Sequence, residues 1–180
     1  PGFLDSFFID DYIGGRYYLR ESEFHGPVNL TTLDNWVENN TWGNIFHSDV
    51  TVTTDSSSLG AYYKFSSSNL VDTFDGQLII NAPSAEVYIG ASSTQLHTGL
   101  VPLDQLDISN MASGSLYLCY YHGSAPVTLN TGGVHLLIYD SQFDQDFTIT
   151  NNNDRTFQSW RTTYAGNLTI ESGQFNMNNN

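Results

Sequence analysis

The densest cluster of chemistry-bearing side chains is Asp140, Asp144 and Asp146, in the run Tyr139-Asp-Ser-Gln-Phe-Asp-Gln-Asp146. Oxygen-rich loops of this kind can take calcium, which makes these three the candidate metal ligands. Their spacing is neither that of an EF-hand loop nor that of the glycine-rich nonapeptide of calcium β-rolls, and a solvated acidic corner is the simpler reading. Asp72 with Asp75 and Asp104 with Asp107 are further acidic pairs, the residue type that glycoside hydrolysis needs on both sides of the scissile bond. None comes with the Asp-Asp, Gly-His-Gly or Arg-x-Lys signatures of pectin hydrolases, and Tyr121-His122-Gly123 is the nearest fragment. A lyase would need a basic residue to abstract a proton, and Lys64, Arg16, Arg20, Arg155 and Arg161 offer little for that. His25, His47, His97, His122 and His135 form no H-E-x-x-H or H-x-H motif, although His122 and His135 flank neighbouring corners and could approach. Cys119 is the single cysteine, so neither an intrachain disulfide nor a C-x-x-C site can form. No complete acid/base, nucleophile or metal constellation emerges; the expectation is a non-enzyme without a cofactor.

The elements that would position these side chains follow a repeat. Leu106-Asp-Ile108, Val127-Thr-Leu129, Phe147-Thr-Ile149 and Leu168-Thr-Ile170 are apolar-polar-apolar triplets starting 21, 20 and 21 residues apart. Each carries the period of two expected of a strand with one buried side. Each is followed by a corner, with Gly114, Gly133, Asp154 and Gly173 in equivalent places, and then by a second strand. The unit extends backwards through Leu78-Ile-Ile80, Val50-Thr-Val52 and Val28-Asn-Leu30, with Gly90 to Gln105 as an insertion. A strand-corner-strand unit recurring in phase predicts an all-β chain folded as a right-handed parallel β-helix, a solenoid of about seven coils of about 20 residues each. An antiparallel sandwich would satisfy the strand spacing alone, but not the phase. Residues 1–27 hold Phe3, Phe7, Phe8, Tyr12, Tyr17, Tyr18 and Phe24 outside this repeat and are expected to be an N-terminal aromatic capping segment. Coils are then expected over 28–180, with the native solenoid continuing beyond, since no comparable cap closes the C-terminus.

Composition narrows the function. The chain has 180 residues, 19 acidic against 5 basic, and a net charge of −14. So few cations cannot neutralise a phosphate backbone, which excludes nucleic acid as a partner and disfavours anionic lipid. No apolar run approaches the roughly 20 residues of a membrane span, so no direct membrane insertion is expected. Asn29, Asn39 and Asn167 head N-x-[S/T] sequons and are the candidate glycosylation sites.

Abundant tyrosines give the surface a character of its own. Tyr88, Tyr117, Tyr120 and Tyr121 are the candidate ligand surface, because exposed Tyr offers both a flat apolar body and a polar tip. Outward columns of Asp107, Thr128, Thr148, Thr169 and of Ser109, Asn130, Thr150, Glu171 invite comparison with ice-binding solenoids, but only Thr148-Ile-Thr150 is a full Thr pair and charges interrupt both columns. Ordinary outward strand positions explain them.

The segment Gly76-Gln-Leu-Ile-Ile-Asn-Ala-Pro-Ser-Ala-Glu-Val-Tyr-Ile-Gly-Ala-Ser92 resembles a rung of fungal adhesin-like cell-wall proteins, namely the N-terminal domain of the hyphally regulated cell-wall protein type. His25-Gly-Pro-Val-Asn-Leu30 and Leu106 to Leu118 are similar to other parts of such domains. The resemblance implies a secreted glycoprotein displayed at the cell wall or cell surface, extracellular and non-catalytic. It would attach to a host-cell surface, a glycan or an abiotic surface. A β-helical polysaccharide-degrading enzyme, or a carbohydrate-binding domain of the tail-fibre or autotransporter type, is the alternative.

Overall fold

The computed structural model describes residues 3–4, 7–12, 15–32, 37–54, 61–90, 103–150, 155–171 and 174–178. Alternating apolar and polar side chains make short extended segments, each with one side to bury. A single turn supplies three of them, as in Ile45–Phe46, Val50–Thr54 and Tyr62–Phe65. The first lies on a short face, the second on a middle face, the third on a long face. Each strand pairs in parallel with its equivalent one turn on, for instance Phe46 with Phe74, Val50 with Leu78 and Tyr63 with Val87. The result is a β-solenoid of about six turns, from Glu23–Phe24 to Thr156–Trp160, with a further set of strands stacked at each end.

Side chains that point inward form columns along the stack. Val28, Val50, Leu78 and Leu106 share one column, and Tyr63, Val87, Leu116, Leu136 and Phe157 another. The short face buries an aromatic column, Phe24–Phe46–Phe74, with ring centroids 5.2 and 5.0 Å apart. Further along, Tyr121, Phe143 and Tyr164 repeat the arrangement at 5.7 and 5.4 Å. Aromatic pairs of this kind add about 0.5–1.5 kcal/mol beyond area burial. Buried Asp72 ties two successive corners together: its carboxylate accepts hydrogen bonds from Thr41 Oγ1, from the Asn44 backbone and side chain, and from the Ser66 backbone, at 2.6–3.0 Å. Burial raises its pKa and these donors pull it back.

Three features differ from the sequence expectation. Residues 3–20 contribute strands that pair in parallel with the turn after them, Leu4 with Phe24, Phe7 with Val28 and Tyr18 with Asn40. The backbone of the expected cap is therefore itself a rung; the side chains of 1–17 lie outside the described residues. Leu106, Ile108, Val127, Leu129, Phe147 and Ile149 are all buried, and Leu168 and Ile170 pack on the core at its end. Their strands, however, do not form one continuous face. Leu106–Asp107 pairs with Leu78–Asn81 and Val127–Asn130 with Phe147–Thr150, but the two are not paired with each other. Among the described residues the short-face strands also fall into two sets, while the long face runs unbroken through eight strands. The 3-10 turn Leu103–Gln105, at the end of the insertion, sits against Val127–Asn130 at this break. An open cleft of about 250 Å³ lies there, lined by Asp107, Ser109, Thr128 and Asn130 among others.

Candidate functional site: an outer aromatic ridge

On the long face the inward residues of Glu86–Ile89, Ser115–Cys119, His135–Tyr139 and Thr156–Trp160 are buried and the alternate ones look outward. Outward Tyr88 registers with Tyr117, and Tyr139 registers with Trp160 one column over. Four rings therefore form a ridge that steps diagonally across the face. Tyr88 and Tyr117 stack nearly parallel at 4.1 Å and 6°, Tyr117 and Tyr139 stand 6.4 Å apart at 13°, and Trp160 follows at 4.9 Å with a tilt of 46°. All four residues are half-buried, so each remains partly open to solvent.

Polar groups border the ridge. Tyr88 donates its hydroxyl to Glu86 at 2.7 Å, and the Lys64 ammonium lies 5.8 Å from the Tyr88 ring centre. Burial pushes the Tyr88, Tyr117 and Tyr139 phenols upward, so they remain protonated hydrogen-bond donors at neutral pH. Cys119 shares this face, and burial followed by the Asp140 charge pushes its thiol up to about 12. A thiol held protonated is a poor nucleophile. Beyond the ridge, Arg161 reaches Asp140 with two hydrogen bonds of 2.5 and 2.6 Å.

The candidate side chains fall in different places. Tyr88 and Tyr117 are in the ridge. Tyr120 stands at the next corner with φ of 55°. Tyr121 does not belong to an outer surface: it is buried and packs on Phe143 inside the solenoid, where Gly123, in register with Phe143, leaves the aromatic column without a side chain at its own level. Tyr139 and Trp160 complete the ridge, and the alternation through Leu136-Leu-Ile138 and Phe157-Gln-Ser159 was the signal for both.

Asp140, Asp144 and Asp146 do not converge on a metal. Asp140 takes Arg161, Asp144 takes His122 at 2.8 Å and Gln142 at 2.7 Å, and Asp146 takes the backbone and side-chain nitrogens of Asn167. Asp140 sits at one corner, Asp144 and Asp146 share the next, between Gln142–Phe143 and Phe147–Thr150, and each carboxylate has its own partner. His122 and His135 also part company, since His135 accepts from the Thr156 backbone on the long face. The Ser109 hydroxyl, and after it the Ser109 backbone N–H at 3.0 Å, hold the Asp107 carboxyl below its ordinary range. His97 and the Asp104 side chain lie outside the described residues.

Of the sequons, Asn167 is exposed and Asn29 half-buried on the middle face. Asn39 is fully buried, its amide without a hydrogen-bond partner, and is closed to a glycan in the folded chain. The Thr columns are real in register, Thr128–Thr148–Thr169, but they stop at the break before Asp107. Among the described residues no helix is long and apolar enough to cross a membrane. Comparison with protein-family models, curated proteins and solved structures finds no match for this chain.

Proposed function

We propose that the chain is a non-catalytic adhesion and display domain: a right-handed β-helix at an extracellular cell wall or cell surface that attaches by contact along the aromatic ridge. The observation that carries this reading is the outward row Tyr88, Tyr117, Tyr139 and Trp160. Tyr and Trp present large amphipathic area with few rotatable bonds, and stacking on each other already holds these rings in place. Little side-chain freedom is left to lose on binding. Ring edges alternating with phenol hydroxyls suit the alternating C–H and O–H groups of a sugar. A net charge of −14 repels polyanions, so the favoured target is a neutral glycan of a host-cell surface. The resemblance to fungal adhesin-like wall proteins supports the same reading. Affinity per domain need only be modest when many copies act together on one surface.

The test displays the domain on a non-adherent cell and measures attachment to host cells, immobilised glycans and plastic. Attachment to host cells and glycans, reduced by the double variant Tyr117→Ala/Trp160→Ala, is the expected result. No gain of attachment by a folded, displayed domain overturns the proposal and leaves a structural wall component.

A further inference from the structure

At the corner after the short face, equivalent positions of three successive turns carry His25, His47 and Asp75. The His25 and His47 rings stack at 4.7 Å, one rung apart. Glu23, on the strand leading into the first of these corners, places Oε1 3.3 Å from His25 Nε2 and 2.9 Å from His47 Nε2. Asp75 Oδ2 lies 2.6 Å from His47 Nδ1. Ladder bonds fix the backbone beneath them, the His47 N–H donating to Phe24 O at 2.9 Å and the Asp75 N–H to Phe46 O at 2.8 Å.

We infer that Glu23, His25 and His47 form a site for a divalent transition-metal ion of the zinc type, with Asp75 orienting His47. The three donor atoms lie within 4.8 Å of one another. A tetrahedral ion with bonds near 2.0–2.1 Å holds its donors roughly 3.3 Å apart, so the two glutamate–imidazole distances need shift only slightly and the two imidazoles close on each other. When Asp75 holds the Nδ1 proton of neutral His47, the Nε2 lone pair faces the Glu23 carboxylate oxygen. In that form a metal ion takes the place between the two lone pairs that a proton holds in the imidazolium. A carboxylate behind a ligating imidazole is the usual outer partner of such a ligand. Two imidazoles with one carboxylate favour zinc-type ions over calcium or magnesium, which prefer all-oxygen sites. The cluster is open to solvent, so water completes the coordination.

Such an ion would clip turns together near the N-terminal end of the stack, and it is independent of the aromatic ridge. The spacing that reveals it, 22 residues from His25 to His47 and 28 from His47 to Asp75, is the local turn length rather than any local motif.

The experiment titrates tag-free protein with zinc chloride by calorimetry, and separately with magnesium and calcium chloride. Imidazole nitrogen shifts are followed by NMR on the unaltered chain. We expect one zinc per chain, perturbed Nε2 signals of His25 and His47, and a raised Tm with zinc. The double variant His25→Ala/His47→Ala should abolish binding, Asp75→Asn should weaken it on the order of tenfold, and His122→Ala/His135→Ala should leave it unchanged. Absence of zinc binding, equal binding in the His25→Ala/His47→Ala variant, or shifts confined to other histidines would overturn the assignment. Should that variant misfold, the NMR shifts of the unaltered chain decide alone.

Discussion

Leaving the long face, the chain passes through left-handed backbone at Glu21, Gly43, Ser66, Gly90, Tyr120, Asp140 and Arg161, with φ between 47° and 80°. Glycine does this freely, whereas a side chain in that conformation costs about 1–2 kcal/mol. Tyr120 takes no part in the ring contacts of the ridge. Asn tolerates the left-handed region better, so Tyr120→Asn should raise stability by up to about 1 kcal/mol, read from chemical denaturation. Electrostatics at another corner has a definite pH sign. Gln142, then His122, hold the Asp144 carboxyl below its ordinary range. A depressed carboxylate contributes stability above its unfolded value and loses it as pH falls through the folded one. The Tm of the unaltered chain should therefore fall below the ordinary carboxylate range, and Asp144→Asn should flatten that fall; an unchanged acid limb would refute the pairing as a stabilising one. At this scale the sequence was partly legible. Tyr88 and Tyr117 could be placed outward by alternation, whereas Tyr121 could not be placed inward without knowing that Gly123 vacates the column beside it.

Strands and corners carry the next level. Period-two triplets such as Phe147-Thr-Ile149 announce a strand because every second side chain must be buried. The in-phase recurrence of whole units announces a solenoid. Register across the insertion was not legible, since nothing in Leu106-Asp-Ile108 or Val127-Thr-Leu129 says that Leu103–Gln105 accompanies a break between them. Residues 3–20 hid their rung because the aromatic residues there do not repeat the triplet of the later turns. The His25–His47–Asp75 column was hidden for a similar reason: corners of unequal length blur which residues stand one above another. Corner glycines give this level its prediction. A Cβ on Gly114 would run into the Ala85 carbonyl and Met111, whereas one on Gly132 meets nothing within 4 Å. Gly114→Ala should cost about 1–3 kcal/mol by overpacking. Gly132→Ala, at φ of +54°, should cost only the backbone strain of about 1–2 kcal/mol. Denaturation midpoints of the two variants separate steric from conformational cost. A Gly114→Ala protein as stable as the parent would mean that the Ala85 and Gly114 corners are not stacked as described.

Taken whole, the molecule is a stack in which, among the described residues, one face is continuous and two are interrupted, so the long face holds the two halves in one alignment. That continuity is what lets residues from four successive turns make a single ridge, and it ties the proposed function to the fold. Inner aromatic columns and the outer ridge are chemically alike but separable, because Tyr121 and Phe143 serve the core while Tyr117 and Trp160 face solvent on one side. The central claim is that the outer row is the contact surface, and calorimetric titration of the purified domain with neutral oligosaccharides, parent against Tyr88→Ala/Tyr117→Ala/Trp160→Ala, tests it most directly. The account predicts saturable binding by the parent and a loss of at least about tenfold in affinity, roughly 1.4 kcal/mol, in the variant with its solenoid circular dichroism intact. Binding of equal strength in the folded variant, or none by the parent, would contradict it.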